Sequence, residues 1–332
     1  MAKPPLLIPR PEGLYCPGGD FYIDPLRPVP RALITHGHSD HARPGHGSVL
    51  ATRQTLDIMA IRYGEDFCTS RQAAEGTIRI GEVEVSFHPA GHVLGSAQIA
   101  VQGRACRIVV SGDYARVPSP TCAPFEPVPC DVFVTEATFA LPVFRHPPPG
   151  AEIARLLASV QDFPERSHLI GAYALGKAQR LIGALRQAGW DAPIHIHGAL
   201  QRLCDYHVAK GIDLGDLRPA TGGAKADFAG AIVIAPPSAF AATWAQRFPD
   251  PVISFASGWM QVRARARQRG VELPLVLSDH ADWDELLATL RDVGAPRVWV
   301  THGREEALVH AARGMGIDAR ALALVGFEEE GS

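Results

Sequence analysis

The six positions His36-Gly37-His38-Ser39-Asp40-His41 hold three imidazoles and one carboxylate, directly after Thr35 and the apolar run Ala32-Leu33-Ile34. Imidazoles and carboxylates are the ligands that zinc, manganese and neighbouring divalent metals accept. They gain nothing as core, because each is costly to bury unless a metal or a partner satisfies it. At a strand end, where side chains alternate faces, His36 and His38 can reach one ion while Asp40 and His41 serve a second. The segment is read as a metal site.

Further groups of the same chemistry fall where strands end. His92 lies in Pro89-Ala90-Gly91-His92-Val93-Leu94-Gly95-Ser96, between glycines that allow a tight turn. Asp113 closes Val109-Val110-Ser111-Gly112-Asp113, and His302 closes Val298-Trp299-Val300-Thr301-His302. A carboxylate has two oxygens and can bridge two ions, which makes Asp113 the natural shared ligand. A single strand-end His or Asp is more often structural than functional. Together with the first motif they complete two metal sites.

The elements that must carry these residues are short. Strands are expected at Ser48-Ala51, Thr77-Ile80, Val83-His88, Ala97-Val101, Arg107-Ser111 and Asp131-Thr135, with one helix near Gln54-Tyr63. That density suggests half of a layered sandwich. Proline-rich loops follow at Val117-Val128 and Pro142-Pro149, the latter read as a linker. The texture then changes to alternating helix and strand, with helices expected at Ala151-Val160, Lys177-Ala188, Gln201-Lys210 and Ala239-Phe248. Strands at His168-Ala172, Pro193-His197, Ala231-Ala235 and Val252-Phe255 separate them, as in a parallel α/β unit. From Leu275 strand and helix alternate again, and His280 and His302 sit at strand ends.

Composition agrees with this organisation. A chain of 332 residues exceeds the usual single domain, and 46% hydrophobic with 20% charged residues is ordinary for a soluble globular protein. No window is apolar enough to cross a bilayer and no apolar leader opens the chain, so a cytoplasmic location without membrane partners is expected. The six cysteines contain no C-x-x-C pair, which argues against a disulfide framework and a zinc ribbon. A net charge of −3 excludes a globally basic nucleic-acid binder, leaving bound cations or a local patch to attract phosphate.

The ordered set His36, His38, Asp40, His41, His92, Asp113 and His302 resembles the metallo-β-lactamase superfamily. The fold this implies is α/β, an αββα sandwich with metals at one edge. Asp131-Val132-Phe133-Val134-Thr135-Glu136 resembles motif A of the β-CASP nucleases, Ser278-Asp279-His280-Ala281-Asp282 their motif B, and Thr301-His302-Gly303 their motif C. Ala172-Tyr173-Ala174-Leu175-Gly176-Lys177-Ala178-Gln179 resembles a helix start of that branch. The resemblance implies a metallo-β-lactamase domain over 1–145 and 272–332, interrupted by an inserted α/β β-CASP domain over 146–271. Gly13-Leu14-Tyr15-Cys16-Pro17-Gly18-Gly19-Asp20-Phe21-Tyr22-Ile23-Asp24-Pro25 and Phe255-Ala256-Ser257-Gly258-Trp259-Met260 further resemble the bacterial DNA ligase-associated exonucleases.

That family would place His36, His38 and His92 on one divalent metal and Asp40, His41 and His302 on a second, with Asp113 bridging; zinc or manganese suits the donors. It implies a two-metal-dependent DNA exonuclease of DNA repair, acting 5′ to 3′ on single-stranded DNA or DNA ends, in functional association with a DNA ligase. His280 would be the general acid and Glu136 the carboxylate that orients it, with Asp40 beside them in the catalytic set. Lys177, Ser257 and Ser278 could hold a terminal phosphate. The alternative is a β-CASP ribonuclease that processes or degrades RNA, because a His at motif C is typical of RNA-processing members. A silent β-CASP scaffold would have lost ligands that are all present here, and Glu136, His280 and the insertion argue against a thioesterase or lactonase.

Other candidates weigh less. His195 and His197 share the i, i+2 spacing, but no Asp-His follows, and solvent or backbone partners are expected. His46 and His88 lie near the metal motifs in sequence with no ligand position left for them. Arg263, Arg265, Arg267 and Arg269 form a basic run that is either a nucleic-acid contact or a solvated face.

Overall fold

The computed structural model describes residues 5–241 and 243–322. Its contacts divide the chain into two compact units, residues 1–118, 122–145 and 280–332 in the first, and 119–121 with 146–279 in the second.

The first unit is layered. One sheet contains β1 (Ile8–Arg10), β2 (Gly13–Cys16), β3 (Phe21–Ile23), β4 (Arg31–Leu33), β5 (His46–Ala51) and β6 (Cys68–Ala73), hydrogen-bonded in that order, and α1 (Arg53–Tyr63) follows β5. A second sheet takes β7 (Thr77–Ile80), β8 (Val83–Pro89), β9 (Ala97–Gln102), β10 (Arg107–Val110) and β11 (Val132–Ala137).

In the second unit α2 (Pro149–Asp162) and β12 (His168–Gly171) are followed by α3 (Lys177–Gln187), β13 (Ile194–Ile196) and α4 (Gly198–Ala209). Strands β14 (Leu217–Pro219), β15 (Ile232–Ala235), β16 (Val252–Ala256), helix α5 (Arg263–Gln268) and β17 (Leu273–Leu275) complete it. Its sheet has the order β14-β13-β15-β12-β16-β17, and every pairing is parallel. Such strands are buried on both faces, which is why they read as apolar runs rather than as alternation.

The chain returns to the first unit with α6 (Trp283–Val293), β18 (Arg297–Gly303), α7 (Glu305–Gly314) and β19 (Asp318–Ala321). Strands β18 and β19 extend the second sheet, giving the order β19-β18-β11-β10-β9-β8-β7.

Alternation along the central strands explains the layers. Val132 and Val134 join Ile108, Val110, Leu33 and Leu50 in a core between the two sheets. Phe133 and Val109 face the other way, against Leu286 and Leu290 of α6 and Leu308 of α7. On the outer face of the first sheet, Leu56 and Met59 of α1 pack on Ala32, Ile34 and Val49. The order of layers is helix, sheet, sheet, helix: a mixed α/β sandwich. Each buried Leu or Phe contributes roughly 1.5–3 kcal/mol.

Local signals place the helices. Thr52 caps α1 through the Thr55 N–H, and Asp282 opens α6 with a reciprocal Glu285 contact. Gly294, in the left-handed conformation, ends α6.

Three expectations differ from the structure. The motif at residues 36–41 is a loop after β4 and not a strand end, so its convergence comes from loop curvature rather than strand alternation. Ala239-Phe248 is not a helix but falls in the 3-10 segments Pro237–Ala241 and Thr243–Arg247. Strands β1 to β3, β6, β14 and β19 had no counterpart among the expected strands.

Candidate metal centre

The parallel strands β4, β10, β11 and β18 end at one edge of the sandwich, and the loops leaving them carry the chemistry. His36, His38 and His41 follow β4; Asp113 follows β10; Glu136 lies in β11 and His302 in β18. His92 sits in the β8–β9 turn, where the backbone N–H groups of His92 and Val93 both donate to Ser96 Oγ at 3.2 Å.

Two backbone constraints fix the edge. Gly112 has φ +57°, and a Cβ there would lie 2.7 Å from the Thr35 side chain. Only glycine lets Asp113 turn in beside the His36 loop. Across β11 and β18 the register slips, Thr135 facing Val300 but Ala137 facing Gly303. The additional residue on β18 re-aims His302, which holds φ +57°, uncommon for a side chain with a Cβ.

Ligand-type atoms of His36, His38, His92 and Asp113 lie within 4.8 Å of one another, as do those of His41, Asp113 and His302. Asp113 belongs to both groups. Its Oδ2 is 3.4 Å from His36 Nε2, 3.5 Å from His41 Nε2 and 3.8 Å from His92 Nε2. Asp40 Oδ2 lies 3.6 Å from His41 Nε2 and completes the approach to the second group.

The fit to metal ions can be judged from these atoms. Two ligands each ~2.1 Å from a tetrahedral ion stand roughly 3.4 Å apart, the spacing found around Asp113 and longer than a good hydrogen bond. His36 Nε2 and Asp40 Oδ1 are buried with no hydrogen-bond partner, an arrangement that an ion would satisfy.

Electrostatics point the same way. Burial opposes a charge on His41, yet the carboxylates of Asp113 and Asp40, helped by Asp24, hold its pKa well above the ordinary value. The pocket calls for a cation. Burial, with His41 adding, lowers His36, and the same two causes bring His302 down to about 3. Both are therefore neutral imidazoles, the form that ligates metal.

Asp24 is a candidate for the site that the sequence did not single out. Buried and at φ +43°, it accepts hydrogen bonds from Thr35 N (2.8 Å) and Thr35 Oγ1 (2.6 Å), and its Oδ2 lies 2.8 Å from His41 Nδ1. That last contact fixes which His41 nitrogen faces Asp113. The available signal was an aspartate between two short apolar runs, Phe21-Tyr22-Ile23 and Ala32-Leu33-Ile34.

Beside this cluster lies a dyad. Glu136 is almost fully buried, its Oε1 accepts the Tyr114 N–H at 2.7 Å and its Oε2 lies 2.9 Å from His280 Nδ1. The Ala281 N–H donates to Tyr114 O at 2.7 Å, so one short segment steadies both members. Carboxyl oxygens of Asp113 and Glu136 and a ring nitrogen of His280 also fall within 4.8 Å. Burial pushes the Glu136 carboxyl above its ordinary range; His280 opposes this and Asp113 adds to it.

In the second unit, Lys177 starts α3, is buried, and pairs with Asp279 at 2.9 Å. Ser257 is buried and its Oγ accepts the Trp259 N–H, while Ser278 is half-buried. Of the secondary candidates, His197 Nδ1 accepts the Ala199 N–H as the cap of α4, and the His195 ring meets Phe228 edge to face. His46 Nδ1 accepts the Val29 N–H, and His88 contacts Ser86 Oγ. The cysteines are free thiols. Among the described residues no helix is long and apolar enough to cross a membrane.

No protein-family model matches the chain. It is similar to a protein named probable DNA ligase from Opitutus terrae, 26% identical over 94% of this chain and 30% of that protein. Ribonuclease TTHA0252 from Thermus thermophilus is 25% identical over 93% of this chain and 89% of its own length. Endoribonuclease ysh1 from Emericella nidulans is 31% identical over 40% of this chain and 15% of its own. The chain thus spans less than a third of the ligase-named and ysh1 relatives. A crystal structure of a protein of unknown function from Enterococcus faecalis V583 has the same fold, with a TM-score of 0.54 at 13% identity over 90% of this chain and 80% of that one.

Proposed function

Starting from the chain's homology to the metallo-β-lactamase-fold β-CASP nucleases, we propose that it is a metal-dependent nuclease, and more specifically a DNA exonuclease of DNA repair that degrades single-stranded DNA from the 5′ end. The observation that carries the reading is the Glu136–His280 contact of 2.9 Å beside a ligand cluster built around Asp113. The first unit is assigned as the metallo-β-lactamase domain and the second as the inserted β-CASP domain.

His36, His38 and His92 would hold one divalent ion and Asp40, His41 and His302 a second, with Asp113 shared; zinc and manganese both suit these donors. Bound there, such ions supply Lewis-acid polarisation of a phosphodiester and a lowered pKa for water. The protein's own groups do the rest. Asp24 orients His41. His280, its Nδ1 turned to Glu136, presents Nε2 as the acid that delivers a proton to the leaving sugar oxygen. Glu136 stabilises the protonated ring, as a carboxylate partner of a catalytic histidine does. Lys177, Ser257 and Ser278 are assigned to a terminal 5′-phosphate, for which the Lys177–Asp279 pair must open.

Partnership with a DNA ligase is supported by the Opitutus relative, which is named a probable DNA ligase and of which this chain matches 30%. The second reading, RNA hydrolysis, is favoured by the Thermus and Emericella relatives, named a ribonuclease and an endoribonuclease, and by His302 at the motif C position. Competition between matched DNA and RNA oligonucleotides in one reaction separates the two. Faster loss of DNA is expected; strong preference for the RNA strand would replace the first reading with the second.

A further inference from the structure

The arginine run of the second unit has a structure that its sequence spacing conceals. Along α5 and its C-cap residue Arg269, residues four apart share a face, so Arg265 and Arg269 lie on one side and Arg263 and Arg267 on the other. The first pair rests on aromatic rings. The Arg265 guanidinium lies 4.1 Å from the centre of the Trp259 ring, and that of Arg269 lies 5.2 Å from Phe255. Ala266 between them is buried against the Phe255 and Met260 cluster, and Ser257 caps the turn that carries Trp259. The helix is thereby seated on its aromatic side.

Arg263 and Arg267 are exposed on the opposite side, and among the described residues neither has an ion-pair or hydrogen-bond partner. The nearest carboxylate in sequence, Glu272, is taken by both terminal nitrogens of Arg166 at 2.7 and 2.8 Å. In a chain of net charge −3, two unneutralised guanidinium groups on one short helix face are not what an evenly mixed surface supplies. Their side chains start ~5–6 Å apart. That is a spacing suited to successive phosphates along one strand, and a guanidinium fork matches phosphate oxygens in pairs.

We propose that the Arg263–Arg267 face of α5 is a docking surface for the sugar-phosphate backbone of single-stranded nucleic acid. The surface rests on the nuclease reading for its purpose, since it would retain a strand during repeated cleavage, but it binds without metal and can be measured alone. It takes two phosphates, contributes little sequence preference and depends on salt.

The test is fluorescence anisotropy of a labelled single-stranded DNA oligonucleotide with the full chain in EDTA, across a salt series. Arg263→Gln/Arg267→Gln should weaken binding at least tenfold and reduce the slope of log affinity against log salt by about 1.4, roughly 0.7 for each lost phosphate contact. Arg263→Lys/Arg267→Lys should retain most of the binding. Arg202→Gln/Arg218→Gln, which removes two exposed charges elsewhere on the same unit, should leave the slope unchanged.

Unaltered binding by the first variant overturns the proposal, as does an equal loss in the Arg202/Arg218 control. Competition by polyglutamate as effective as by DNA overturns it in favour of an acidic protein partner. Failure of the nuclease reading is separately visible: the wild type would bind the oligonucleotide, lose it in the Arg263/Arg267 variant, and cleave nothing when metal is supplied.

Discussion

At the scale of single residues, the groups proposed to hold metal are distinct from the one proposed to move a proton. His280 contacts Glu136 and is expected to bind no ion, so His280→Ala should keep the full metal content while turnover falls by about 10²–10⁴-fold. Glu136→Gln should show a smaller loss of the same kind. Metal analysis alongside rates checks both, and loss of metal from His280→Ala would remove the assigned role. Asp24 acts one step further out. Asp24→Asn keeps an oxygen for Thr35 but weakens the contact to His41 at 2.8 Å. Metal affinity should fall by about 10–100-fold with the fold retained, which titration against a competing chelator reads directly.

At the scale of elements, the candidate ligands were legible because their residue types are expensive to bury, whatever element carries them. The mechanism of convergence was not legible. His36 and His38 come together in a loop, and His302 is aimed by a register slip against β11 that no local pattern encodes. Asp24 escaped because a lone aspartate after Ile23 looks like a turn residue. Its role depends on Thr35 and His41, 11 and 17 positions away.

Strands such as β10 and β11 announced themselves through consecutive apolar residues. Strands β1 and β3, three residues each, are too short for periodicity to register. The alternating texture of this unit leads to the expectation of a helix at Ala239-Phe248. Packing with Phe228 and Val233 instead selects tighter 3-10 turns there, tertiary contacts overriding propensity. One substitution tests the element-level account. Gly112→Ala places a Cβ against Thr35 at φ +57°, so unfolding in urea should show a loss of about 1–3 kcal/mol together with weaker metal binding. Wild-type behaviour on both would mean that Gly112 does not set the position of Asp113.

At the scale of the whole molecule, stability and activity make separate claims. His46 Nδ1 accepts the Val29 N–H, so a second proton would break that bond, and burial pulls its pKa down to about 4. In the unfolded chain the ring titrates near ~6.5, so the unfolded state takes up the proton first. The stability held by neutral His46 is complete above about pH 6.5 and drains away as pH falls toward about 4. His46→Asn should therefore lose about 2 kcal/mol less than the wild type between pH 7 and pH 5 in urea unfolding, and parallel pH curves would contradict this.

The central claim is phosphodiester hydrolysis of DNA from the 5′ end at a metal-loaded His36–His302 cluster. It is tested most directly by incubating the metal-replete protein with 5′-phosphorylated single-stranded DNA labelled at its 3′ end and resolving the products with time. The account predicts progressive shortening from the 5′ end, slower on a 5′-hydroxyl strand, and none in Asp113→Asn. Absence of hydrolysis, release of short fragments from the 3′ end, or equal cutting of circular single strands would contradict it.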